Sequence, residues 1–343
     1  MKINKMTSSK VQRLIADNAI LFIWGLFFII AVVGIKGFAS VYNLKSYAIN
    51  SAVLLIAACG LTFPLLNGGI DFSMTAIVSL VSTISAYIMV STTLAGTFWG
   101  IPVAVLVSIL IGAVVGAING FAVSKLKMPS FVVTLSTMLI FSGVAIWFGS
   151  VFYEKVSLSG LPTTFIALGG KGSFWYLPIV IAAIVFLFSH WLLTRTIFGR
   201  RLYAVGINPR TAAISGVPVK RTIFTLLIIS GVFAAIAGLV FTAKNGAGVV
   251  SLGDQMFINF VGAVVIGGTS PMGGFGGVKN TLYGVLFIML ISNILNLLGV
   301  DYTLYDVIKG AFILFAAALE LFTRRMKAKA SILASKTGEG VTS

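Results

Sequence analysis

Long apolar runs without a charge dominate this chain, and short polar stretches separate them. The runs cover residues 18–35, 46–70, 72–124, 128–153, 172–194, 222–243, 255–278 and 280–300, and a last one ends near Phe322. They approach or exceed the roughly 20 residues that an α-helix needs to cross hydrocarbon, and far exceed the roughly 10 of a barrel strand. The 53-residue run 72–124 is long enough for two crossings, with a break around 95–102. The pattern therefore predicts an all-α, polytopic membrane protein of about ten transmembrane helices. Run 18–35 follows a basic tail (Lys2, Lys5, Lys10, Arg13), a layout shared with signal peptides. Its 18 uncharged residues exceed the usual 7–15-residue core of such peptides, so it reads as the first span.

Composition agrees. The chain is 58% hydrophobic and only 9% charged, with a mean hydropathy of +1.08. A soluble protein of this size carries about 25% charged residues. The net charge of +16 invites a nucleic-acid reading, but the position of the charges removes the need for it. With the N-terminus inside, the cytoplasmic segments are 1–17, 66–71, 124–129, 195–221, 267–279 and 323–343. These hold 18 of the 24 basic residues, which is the positive-inside asymmetry of a membrane protein. Expected domains are a cytoplasmic tail (1–17), a transmembrane domain (18–322) and a basic cytoplasmic tail (323–343). Ten spans also suggest an inverted repeat of spans 2–5 and 7–10, with Asn67-Gly68-Gly69 and Asn245-Gly246-Ala247 as equivalent breaks.

Segment 195–221 holds six basic residues and no carboxylate, so it belongs in water between two spans. Asn208-Pro209 is a helix start and Gly216 a stop, which predicts a short helix between them. A plain loop obeying the positive-inside rule and a docking helix for a soluble partner are both open at this point.

Three further features carry candidate chemistry. Asp71 is the only acidic residue between Asp17 and Glu154. After the Gly68-Gly69 break it could cap the next helix, with Ser73 beside it, or stand within reach of a translocation path. The stretch 267–277 holds six glycines but lacks the phosphate-loop pattern, because Lys279 is followed by Asn280. It reads as a close-packed turn. Gly112, Gly116 and Gly120 make a smooth helix stripe, expected to pack internally, with a subunit interface as the other option.

Catalysis finds no footing. His190 is the only histidine, Cys59 the only cysteine, and Asp306 with Lys309 suffices as a local ion pair.

Four ordered stretches give the chain a family resemblance. They are Asn67-Gly68-Gly69-Ile70-Asp71-Phe72-Ser73; Gly116 to Gly120 with Asn119, then Lys125 to Pro129 and Thr134 to Thr137; Phe198-Gly199-Arg200-Arg201-Leu202-Tyr203-Ala204-Val205-Gly206-Ile207-Asn208 with Ala212-Ala213 and Ser215-Gly216; and Gly267 to Ser270 with Gly273-Gly274. Taken together from about Phe38 to Leu321, the chain resembles the permease subunit of ribose, xylose and galactose ATP-binding-cassette importers. The resemblance implies a pore of two permeases, identical or paralogous. Two cytoplasmic ATPases would hold the ATP, and a periplasmic or lipid-anchored binding protein would deliver the sugar. No cofactor is expected in this chain, and the location implied is a bacterial inner membrane with both termini cytoplasmic. By the same resemblance, 198–216 is the ATPase-coupling loop. Asn67, Gly68, Gly69, Asp71, Ser73, Asn119, Thr134, Thr137, Gly273 and Gly274 are then candidates for the translocation path or gate. Met74-Thr75 and Phe275 depart from the family's usual Val-Gly and Arg. A secondary transporter or channel, or a membrane scaffold, also fits a many-span protein with broken helices.

Overall fold

The computed structural model describes residues 19–153, 156–254, 256–301, 304, 305, 307–311 and 314. Both expected tails, Asp306, and the end of the last apolar run lie outside these residues. The helices are α1 (Ala19–Gly34), α2 (Val41–Leu66), α3 (Ser73–Ser91), α4 (Gly100–Ser124), α5 (Ser130–Phe152), α6 (Thr163–Ala167), α7 (Leu177–Arg195), α8 (Ile197–Ile207), α9 (Pro209–Ile214), α10 (Val219–Asn245), α11 (Phe257–Ile266) and α12 (Val278–Leu297). Strands β1 (Ser157–Ser159) and β2 (Ala247–Val249) form one short antiparallel pair, with Ser157 opposite Val249.

Seven of these helices, α2 to α5, α7, α10 and α12, are long and apolar enough to cross a membrane. Helices α1 and α11 are apolar but shorter. The all-α, many-span reading therefore holds, while the described long helices number fewer than ten.

The residues divide into two units. One holds residues up to Ala39 and from Leu290 onward. Within it Phe28 meets Phe38 edge-on at 5.3 Å between ring centroids, and the Tyr305 hydroxyl donates to the Ser292 carbonyl at 3.0 Å. The other runs from Ser40 to Met289 and carries every candidate site residue.

In that second unit α2 and α3 form the centre, with 89% and 83% of their apolar stretches buried. Helices α4, α5 and α7 lie outside them, at 22–28%. Their uncovered faces are apolar: Leu106, Leu110, Val114 and Ile118 recur every fourth residue on α4 and are all exposed. A helix apolar on both its inner and outer face is one built for hydrocarbon.

The glycine stripe of α4 packs internally. A Cβ at Gly112 or Gly116 would overlap the Gly231 or Leu227 carbonyl of α10, and one at Gly120 would stop 3.0 Å from Phe224. Gly112→Ala and Gly116→Ala should therefore each cost about 1–3 kcal/mol through overpacking, and Gly120→Ala less. Thermal unfolding of the purified variants measures that order.

The apolar run 255–278 does not form one long helix, which the hydropathy pattern did not indicate. After β2 the chain runs along α3 without forming a helix. Gly248 abuts Ala86, the Val249 amide donates to Ser82 Oγ at 3.0 Å, and the Gly253 amide donates to Ser79 Oγ at 2.9 Å. A Cβ at Gly253 would overlap the Thr75 carbonyl. From Ala86 to Thr75 is about 16 Å of helix axis. Only then does α11 begin, and its ten residues supply about half the thickness of a bilayer. Backbone of this kind survives at membrane depth only when protein satisfies its amides. Ser79 and Ser82 do so. Ser79→Ala should leave the Gly253 amide unpaired and cost about 1–3 kcal/mol, read as a lowered unfolding midpoint.

Candidate functional site

Helix α2 ends where Asn67 caps it and Gly68 turns left-handed at φ 78°. Asn67 Oδ1 is buried and has no hydrogen-bond partner. Four residues later Asp71 opens α3. Its Oδ1 accepts from the Ser73 amide at 3.1 Å and from the Ser73 hydroxyl at 2.6 Å, so the sequence-expected capping geometry is present. The capped end is not a surface turn, however. Asp71 is 0% exposed, and its Oδ2 accepts from Ser230 Oγ on α10 at 2.7 Å.

From Ser73 the network continues outward. Asn119 Nδ2 on α4 donates to Ser73 Oγ at 2.8 Å, and Thr137 Oγ1 on α5 donates to Asn119 Oδ1 at 2.8 Å. Thr134, one turn earlier on α5, donates to the Ile70 carbonyl at 3.0 Å, and Gly69 packs against the Ser130 hydroxyl. Five candidates read from sequence, Asp71, Ser73, Asn119, Thr134 and Thr137, thus gather at the start of α3. They tie α3 to α4, α5 and α10. All five are buried, so in this conformation they face one another and not a solvent-filled path.

The other two motifs converge on the same break from the opposite side. The Gly274 amide donates to the Leu66 carbonyl at 2.8 Å. A Cβ at Gly273 would come within 2.8 Å of both the Gly206 carbonyl and the Gly68 amide. A Cβ at Gly206 would overlap the Leu66 carbonyl and reach 2.7 Å from the Gly274 amide. Tyr203 Oη donates to the Gly276 carbonyl at 2.8 Å, and burial pushes its phenol above the ordinary value, which keeps it a donor. The 267–277 stretch is the close-packed turn expected, with Gly273 and Gly274 at φ 85° and 73°. Its glycines admit two backbones at once.

Segment 195–221 is two helices, where the sequence predicted one. Thr196 caps α8 by accepting from the Gly199 amide at 3.2 Å. Phe198 meets Phe63 of α2 at 6.3 Å between centroids, Gly199 fits against the Leu193 carbonyl, and Ala204 accepts from the Asn208 amide. Arg200 and Arg201 are exposed. Asn208 then caps α9 through its Oδ1, at 3.0 Å from the Arg210 amide and 3.1 Å from that of Thr211. Gly216 follows at φ 80°. Ala212 is buried, while Ala213, Ser215 and Gly216 are exposed, and so are Ile207 and Ile214 at 74% and 88%. Two bare isoleucines beside the six exposed cations of 195–221 form an uncovered amphipathic surface.

Ser230, Ser79 and Ser82 are the residues that sequence reasoning missed. Ser230 is a lone hydroxyl inside an apolar run, while Ser79 and Ser82 belong to a helix rich in serine and threonine, and neither pattern names a partner. Among the described residues no group of three or more His, Cys, Asp or Glu could hold a metal ion.

Residues 43–317 match the family model described as the branched-chain amino acid transport system / permease component. The chain is similar to the ribose import permease protein RbsC of Bacillus subtilis, with 37% identity over 86% of this chain and 90% of that protein. It is also similar to the L-arabinose transport system permease protein AraH of Escherichia coli, at 29% identity over 94% and 95% of the two. The xylose transport system permease protein XylH of Escherichia coli is 27% identical over 84% and 87%. No solved structure matches. A family match over most of the chain, on a bundle of membrane-length helices, makes this protein a multi-pass member of the branched-chain amino acid transport system / permease component family.

Proposed function

We propose that this chain is the translocating subunit of an ATP-driven importer for a monosaccharide or a related small polar solute. The observation that carries the reading is the extent of its likeness to sugar permeases, 37% over nine-tenths of a ribose permease. That likeness favours a sugar over the amino acid in the family's description. On this reading ATP is bound and hydrolysed by separate ATPase subunits seated on the α8–α9 segment. A second permease, identical or paralogous, completes the pore, and a periplasmic or lipid-anchored binding protein supplies the solute. The membrane is the bacterial inner membrane, with 195–221 and both termini cytoplasmic.

Ten spans remain the topology that best fits the basic residues, with α1 as the first, the broken segment ending in α11 as the eighth, and the last beginning near Leu304. The inverted repeat is supported by local geometry. Helix α2 ends in Asn67-Gly68 at φ 78° and α10 in Asn245-Gly246 at φ 79°. Asp71 precedes α3 and Asp254 precedes α11.

The site then acts as a lock. The break at 67–71 is held on one side by the Asp71 network and on the other by Gly206 and Gly273. A shift of α8 imposed by an ATPase would therefore reach the start of α3 through backbone contact. An ATPase can bias an inward–outward equilibrium only through contacts that differ between the two states. A secondary transporter or channel gains no support from the relatives.

The test is uptake into proteoliposomes that hold this chain with its ATPase and binding protein. Labelled ribose, arabinose, xylose, galactose and leucine would be offered with and without ATP. ATP-dependent uptake of one sugar is expected. Uptake of leucine in place of a sugar, or uptake that ignores ATP, overturns the reading.

A further inference from the structure

We propose that the groove between the end of α4 and the α9–α10 turn binds the phosphate headgroup of an anionic phospholipid. This inference does not depend on which solute the permease carries. The groove encloses about 1200 Å³. Lys125, Lys127, Arg210, Lys220 and Arg221 line it, and no carboxylate does. Above these cations the walls are apolar, formed by Phe121 and Val123 of α4 and by Ile223 and Phe224 of α10. Helices α4 and α10 are membrane-length, so the charges stand where hydrocarbon gives way to water. Cations below and apolar walls above match a lipid with an anionic head and acyl chains. An acidic protein surface would use the cations and leave the walls bare.

Two details point to an anion at this place. Ser124 lines the groove at 4% exposure, and its Oγ has no hydrogen-bond partner. Buried Ser108 and Ser189 close onto their own backbone, onto the Ala104 and Val185 carbonyls at 2.6 Å each, whereas Ser124, like Ser51, does not. A buried hydroxyl left unpaired is unfavourable, and a phosphate oxygen would accept its proton. The second detail is Lys127, whose φ of 58° makes it the one non-glycine residue with positive φ among the described residues. Glycine would sit there without strain. A lysine there brings a charge to the groove.

Lys127 supplies a variant that separates folding from binding. Lys127→Gly relieves the backbone while deleting the charge, so its unfolding midpoint should equal or exceed that of the wild type. The experiment is native mass spectrometry of the purified full chain, titrated with phosphatidylglycerol or with phosphatidylcholine of the same acyl chains. Phosphatidylglycerol should bind the wild type at least about tenfold more tightly, given about fivefold per cation at an anionic surface. Lys127→Gly should weaken that lipid by about fivefold, and Lys125→Gln with Lys220→Gln by more, with phosphatidylcholine unchanged in both. Lys171→Gln, outside the groove, should have no effect. Equal binding of the two lipids overturns the proposal, and so does wild-type phosphatidylglycerol binding by the groove variants. Full displacement by millimolar inorganic phosphate would show an anion site without a lipid, and overturns it as well. If the groove variants lose only the co-purifying ATPase, the groove belongs to that partner and the proposal fails.

Discussion

Asp71→Ala should abolish uptake and destabilise the protein by on the order of 3–5 kcal/mol, a large share of the 5–15 kcal/mol that holds a typical domain together. The side chain accepts three hydrogen bonds, from the Ser73 amide, the Ser73 hydroxyl and the Ser230 hydroxyl, and all of them are buried. Alanine leaves these donors without an acceptor in a place water does not reach. Asp71→Asn separates the structural role from the electrostatic one. Asparagine caps a helix about as well as aspartate, so the Ser73 contacts survive. The amide nitrogen, however, cannot accept from Ser230, and the link from α3 to α10 is weakened. The expected outcome is an inserted, folded Asp71→Asn protein whose uptake falls below about a tenth of wild type, since removing a charge-assisted bond is worth about 1.5–3 kcal/mol. Wild-type uptake by Asp71→Asn would reduce Asp71 to a helix cap.

Gly206→Val should have an effect as large by a different route. Gly206 touches the Leu66 carbonyl, and Gly274 donates to that same carbonyl. A valine would drive α8 away from the end of α2, or break the Leu66–Gly274 bond, because neither neighbour is a side chain that can swing aside. Uptake should stop while ATP hydrolysis by an associated ATPase continues without coupling. Gly216→Val serves as the contrast. Gly216 has open space around it, so any effect there comes from its φ of 80° and not from a clash. Normal transport by Gly206→Val would show that the α8 contact transmits nothing.

Much of this arrangement could be read along the chain because it is local. Asn208, Pro209 and Gly216 mark out α9, and the structure places the cap on Asn208 and the left-handed residue at Gly216. The glycine-rich turn and the Gly112 stripe follow from spacing as well. What could not be read depends on distant partners. Ser230 lies 159 residues from Asp71, and a lone serine in an apolar run does not name the carboxylate it serves. The broken segment before α11 was hidden for a related reason. Run 255–278 is apolar enough for a span, but 247–254 runs unwound along α3, where the Ser82 and Ser79 hydroxyls accept from the Val249 and Gly253 amides. Helix α8 went unseen because its basic residues exclude hydrocarbon without excluding a helix lying along the surface.

If an ATPase drives this permease through α8 and α9, as proposed above, Ile214 is the residue at which that contact is most simply broken. Its side chain is 88% exposed, while Ala212 on the same helix is the residue that is buried, so Ile214→Glu should leave the permease intact. A charge placed at the centre of a docking contact would be desolvated without a partner. The measurement is the amount of ATPase that co-purifies with wild type and with Ile214→Glu, together with ATP-dependent uptake by each in proteoliposomes. Loss of both is expected in the variant, at an unchanged unfolding midpoint. Undiminished ATPase recovery and uptake with Ile214→Glu would contradict it.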